Sequence, residues 1–144
     1  MNEVTFNSTD GHIPIKKRRN FKEFIIKLFR LEGRDVQRIS YIFCSDKYLL
    51  KLNKQHLHHD YYTDILTFLI SENNSIKSEI YISVDRVKEN AKTYKVSYQT
   101  ELLRVMIHGA LHLCGYKDEN EKAKTQMRQK EDFYIQLYTD SSKP

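Results

Sequence analysis

The stretch ILTFLISENNSIKSEIYIS, residues 65–83, decides how the rest of the chain is read. An apolar run from Ile65 to Ile70 meets the polar cluster SENNS at 71–75, and a second short apolar run follows at Ile80 to Ser83. Two β-prone runs separated by turn-forming residues predict an antiparallel hairpin. Outward from it, strands are expected at Val4–Phe6 and Val36–Cys44, where Ile39, Tyr41 and Phe43 alternate with Arg38, Ser40 and Ile42. Phe21, Phe24, Ile25, Leu28 and Phe29 recur at helical spacing, ending near Gly33. Ser45 caps a short helix through Leu52, and the polar segment up to Thr63 reads as a loop. Further helices are expected over 85–94, from Ser97 to Gly115, and over 119–138. Helices and strands interleave without regular alternation, so the expected class is α+β: a small mixed sheet with one antiparallel hairpin, packed by about five helices.

Composition narrows the function classes. The 144 residues suit one domain spanning 1–144, with 40% hydrophobic and 30% charged residues but only four glycines and two prolines. Disorder and fibrous repeats are thereby excluded. No apolar stretch approaches the roughly 20 residues of a membrane helix, and no secretory leader is evident, so a cytoplasmic protein without a membrane partner is expected. Cys44 and Cys114 fit neither a disulfide framework nor a paired-cysteine zinc site and read as buried thiols. A net charge of +5 favours an anionic partner such as RNA.

The chemistry sits in HGALHLCGYKD, residues 108–118. His108 and His112 are four apart near a helix end and share a face. Such a pair alone is more often ordinary helix surface. Here Gly115 lets the chain turn back in a left-handed conformation and bring Asp118 to the same face. Three protein ligands leave a fourth position open on a tetrahedral metal, which is the arrangement of a catalytic zincin-like helix. Glutamate-dependent zinc peptidases place their base directly after the first histidine, whereas this chain has Gly109 there.

These residues resemble the signature H-G-x-L-H-L-x-G-Y-D-H of the YbeY family of metal-dependent endoribonucleases. LNKQHLHHDYYTDILTF at 52–68 and EIYISVDRVKENA at 79–91 are similar to two further family segments. The resemblance implies one zinc ion, a single-stranded RNA substrate, no DNA substrate, and a role in small-subunit ribosomal RNA 3′-end maturation and ribosome quality control. It also marks two departures. Asp118 stands where the family has its third histidine, and Leu57 stands where it has a catalytic arginine. His56, His58 and His59 beside that position are candidate phosphate or proton donors, with His58 and His59 the catalytic candidates. Lys16, Lys17, Arg18 and Arg19 form a basic run suited to RNA phosphates or simply to a solvated helix start. Tyr61 and Tyr62 are the adjacent aromatics on which bases would stack. A metallo-ribonuclease, a zinc hydrolase of another substrate and an RNA-binding ribosome-assembly factor all remain open at this level.

Overall fold

The structure, a computed structural model, describes residues 2–71 and 75–141. Its elements run β1 (Glu3–Ser8), α1 (Arg18–Leu31), β2 (Val36–Cys44), α2 (Asp46–Leu57), β3 (Ile65–Ser71), β4 (Ile76–Ser83), α3 (Val84–Tyr94), α4 (Tyr98–Leu113) and α5 (Glu121–Ser141). The four strands form one mixed sheet in the order β1-β2-β4-β3. β2 lies parallel to both β1 and β4, and β3 is antiparallel to β4, so the expected α+β class and hairpin are both present. Of the turn residues expected at 71–75, positions 72–74 lie outside the described residues.

Alternation sets the two faces. Phe6, Ile39, Tyr41, Phe43, Ile80 and Ile82 are buried together with apolar residues of α1, α3, α4 and α5. Leu49 of α2 instead packs with Cys44 and Leu66, against Phe68 and Tyr81. Ile80 and Ile82 flank Tyr81 and belong to the other cluster, so α2 covers the opposite face of the sheet. Tyr41 carries its hydroxyl into the main core and satisfies it by donating to the Met106 carbonyl at 2.9 Å.

Helix starts follow their caps. Ser45, Ser83 and Ser97 each accept a hydrogen bond from the backbone N–H three residues on, and Asn120 does the same for Ala123 at 2.9 Å. Two boundaries differ from expectation by four residues or more. α2 continues past Leu52 to Leu57, because Lys51, Lys54 and Gln55 are good helix formers and the αL residue His58 ends the helix instead. His56 and Leu57 therefore belong to a helix, not to a loop. β4 begins at Ile76 rather than Ile80, since buried Ser78 is tolerated by donating to the Phe68 carbonyl at 2.8 Å. Among the described residues, no helix is long and apolar enough to cross a membrane.

Candidate metal and nucleic-acid site

α4 lays its apolar side on the sheet and turns Glu101, Arg104, Val105 and His108 toward a cavity of about 410 Å³. The fit against the sheet depends on Gly109. A Cβ there would sit 2.8 Å from Ile65 Cδ1 and 3.1 Å from Ile80 Cγ2. A side chain at this position would first have to displace Ile65 and Ile80, and Ile65 also lines the cavity. Gly109 thus lets α4 approach β3 and β4 closely at the position where a peptidase carries its base.

At its C-terminal end α4 closes in a Schellman motif. Tyr116 N–H donates to the Leu111 carbonyl at 3.2 Å and Gly115 N–H to the His112 carbonyl at 3.1 Å, with Gly115 at φ 104°. That turn returns the chain toward the helix. Asp118 Oδ2 comes to 3.3 Å from His108 Nε2, and the His108 and His112 ring centroids are 5.6 Å apart. Among the described residues, no trio of His, Cys, Asp or Glu already stands in a ligating array.

The imidazole tautomers do fit a metal. His112 Nδ1 lies 2.7 Å from the Tyr116 carbonyl, which only accepts, so Nδ1 carries a proton and Nε2 is the nitrogen the neutral ring would offer a metal. His108 Nδ1 lies 2.6 Å from Glu131 Oε2, which keeps a proton on Nδ1, so Nε2 is the nitrogen the neutral ring would offer a metal. Metal-binding histidines are commonly oriented this way, the second nitrogen donating to a carbonyl or carboxylate. Glu131, 6% exposed, also accepts from Arg104 Nη1 at 2.8 Å, while Arg104 Nη2 donates to Asp132 at 2.9 Å. Burial disfavours the charged His108 ring, yet the hydrogen bond to Glu131 and the carboxylates of Glu131, Asp118 and Asp64 outweigh it and hold its pKa above the usual value.

Two more acids line the cavity. Burial raises the Asp64 carboxyl above its usual range, against the opposing charge of His108, and Asn90 donates to its Oδ2 at 3.2 Å. Burial likewise raises Glu101, helped by the charge of Asp64. On the other side of Asp118 lies a second hollow, of about 490 Å³, lined by Arg34, Thr67, His112, Lys117 and Asp118 among others. Asp118 is therefore a wall shared by both cavities.

Not every expected residue joins the site. Cys114 sits in the core, its thiol pushed up to about 12 by burial, and Cys44 is buried with the same shift. Lys16 and Lys17 line a separate hollow with Phe21 and Gln99, and Arg18 and Arg19 open α1, where Arg19 meets Glu23 at 3.4 Å. His58 ends α2, and His59 stacks on Tyr61 with centroids 5.1 Å apart. Tyr62 faces the Arg86 guanidinium at 5.1 Å. None of these lines either cavity beside His108 and His112.

Glu131, Arg104 and Asp64 escaped the sequence reading. Glu131 had a readable signal: with Met127 and Tyr134 it occupies positions i, i+4 and i+7 of α5, and those three are the helix's buried residues. An acid inside an apolar stripe requires a buried partner.

The fold and site together define an α+β domain with a histidine–carboxylate centre at the end of one helix. The model of the family described as Endoribonuclease YbeY matches residues 3–139, and the chain belongs to that family. An Endoribonuclease YbeY from Flavobacterium psychrophilum is 43% identical over 86% of this chain and 89% of that protein. Its counterpart from Christiangramia forsetii is 40% identical over 94% of each. In three dimensions, the solution structure of TM1509 from Thermotoga maritima matches with a TM-score of 0.66 and 29% identity, covering 96% of this chain and 90% of that one.

Proposed function

We propose that this chain is a zinc-dependent endoribonuclease that cuts single-stranded RNA in the cytoplasm, acting in 3′-end maturation of small-subunit ribosomal RNA and in ribosome quality control. The family match over residues 3–139 carries the nuclease reading. The orientation of His108 and His112, each with Nδ1 facing an acceptor and Nε2 turned the other way, supports the metal. One ion per chain would be held by His108, His112 and Asp118. It would supply a Lewis acid for a phosphodiester oxygen.

The chain's own residues prepare that centre. Glu131 and the Tyr116 carbonyl hold the two imidazole protons away from the metal side. Asp118 would contribute oxygen and negative charge, which would make the centre less electrophilic than three neutral imidazoles. Gly109 leaves no carboxylate beside the first ligand, which disfavours peptide hydrolysis.

Leu57 supports a second reading, an RNA-binding assembly factor with little nuclease activity. It ends α2 as an apolar side chain, 41% exposed, where the family places an arginine. One comparison separates the readings: wild type against His108→Ala, His112→Ala and Asp118→Ala, assayed for bound zinc and for cleavage of RNA, peptide and ester substrates. RNA cleavage lost in step with zinc is expected, and product-end analysis then identifies the attacking oxygen. Full zinc retention in all three variants refutes the site. RNA binding without turnover by zinc-loaded wild type favours the assembly-factor reading.

A further inference from the structure

The cations near the site differ in how far they are already committed. Arg104 is engaged by Glu131 and Asp132, Lys130 by Glu32 at 3.3 Å, and Arg86 by Asp46 at 2.7 Å. Arg34 is different. It is exposed and forms no ion pair among the described residues, yet it is anchored: Nη2 donates to the Cys114 carbonyl at 3.1 Å. Gly33, at φ 74°, turns the chain from α1 toward β2 just before it. At the far end the guanidinium lies beside Gly115, where an added Cβ would meet Arg34 Nη2 in ordinary contact at 3.5 Å.

Anchoring fixes the guanidinium relative to the metal helix, because Cys114 follows His112 by two residues. Arg34 lines the same hollow as His112, Asp118 and Lys117. One bond to a carbonyl leaves most of its five N–H donors unused, and a planar fork suits phosphate oxygens. Lys117 is a second cation on that wall, exposed and with no anchoring hydrogen bond among the described residues. An anchored charge spends less ordering entropy on binding than a free one.

We propose that Arg34 is a substrate-binding residue of this site, its guanidinium gripping a phosphodiester oxygen in the hollow lined by His112 and Asp118. The proposal rests on the nuclease reading and names which hollow receives the strand. Arg34 comes from the α1–β2 junction, whereas Leu57 ends α2, so a cation is provided from a different element.

The rival explanation is that Arg34 merely caps α4 through the Cys114 carbonyl, as a cation at a helix C-terminus does. Full-length zinc-loaded wild type, Arg34→Gln and Arg34→Lys separate the two. Each is measured for binding and cleavage of a short single-stranded oligoribonucleotide carrying one uncharged methylphosphonate linkage, moved position by position. For wild type, neutralising one particular linkage is expected to weaken binding roughly ten- to hundredfold, the scale of a charge-assisted contact. Arg34→Gln is expected to bind the fully charged strand about as weakly, with no further loss at that linkage. Arg34→Lys keeps the charge without the fork, so the loss at that linkage shrinks, and this arm stands even where Arg34→Gln folds poorly. A cap alone would lower the unfolding temperature and leave the linkage profile of both variants like wild type, which overturns the proposal. Wild type that binds no RNA removes the nuclease reading along with it, while wild type that cleaves beside an indifferent Arg34→Gln removes only Arg34.

Discussion

Replacing Glu131 by glutamine should damage metal binding more than replacing it by alanine, although alanine removes more of the side chain. In the folded protein Glu131 presents two acceptors, Oε2 to His108 Nδ1 at 2.6 Å and Oε1 to Arg104 Nη1 at 2.8 Å. Glutamine has one acceptor and one donor. Arg104 only donates, so the amide oxygen is drawn to it and the amide NH2 faces His108 Nδ1. The imidazole then moves its proton to Nε2, the nitrogen the metal needs. A disrupted partner of this kind lowers metal affinity about 10- to 100-fold, or roughly 1.4–2.7 kcal/mol. Alanine leaves Nδ1 to water and imposes no tautomer, so its zinc affinity should fall less. Stability should follow the reverse order. Glutamine loses about 1–3 kcal/mol for weakened charge-assisted bonds, and alanine more, because a nearly buried histidine–arginine pair loses its acceptor. Chelator competition reads zinc affinity, and denaturant unfolding of the metal-free proteins reads stability. A folded Glu131→Gln that holds zinc as tightly as wild type would refute the tautomer argument.

Gly109→Ala should lose about 1 kcal/mol in thermal unfolding, since crowding against Ile65 and Ile80 exceeds the gain in helix propensity; a stabilised variant would contradict the packing. Gly109→Glu should yield no folded peptidase, because the acid would be forced against the apolar sheet, and peptide hydrolysis by a folded variant would count against this. Glu32 accepts from Tyr116 at 2.8 Å, from Tyr134 through a short bond and from Lys130 at 3.3 Å. Burial raises its pKa, but those three hydrogen bonds and the Lys130 charge hold it below the usual value. A lowered folded pKa gives stability that is complete above the unfolded value, about 4.3, and is lost as pH falls through the folded one. The stability gap between wild type and Glu32→Gln should therefore close on acidification below that value, and a gap unchanged by pH in denaturant titrations would exclude the mechanism.

Much of this was legible in local chemistry. Serine caps, the alternation in β2 and the polar break inside 65–83 marked elements because each is a short-range constraint. The turn at Gly115 was readable for the same reason: only a left-handed residue brings Asp118 back. Residues 52–57 read as a loop from polarity alone, although a helix with one exposed side needs few apolar residues; Leu49 and Asn53 are the buried ones in α2. Arg34 was invisible because its partner Cys114 is 80 residues away, a distance bridged only once α1 and α4 pack on the same sheet face. Gly109 was half legible. The sequence showed a missing base, and only the structure shows the isoleucines that a side chain there would displace.

The close approach at Gly109 also bears on what this scaffold can become. A glycine-to-glutamate change is a small step in coding terms and would write the metallopeptidase signature directly into the helix. Here that step leads into a wall of isoleucine. The two signatures can look interchangeable as strings of letters while differing in what lies beneath them, because here Ile65 and Ile80 would have to give way first. Packing beneath His108 and His112 thus bears on which chemistry this helix can host.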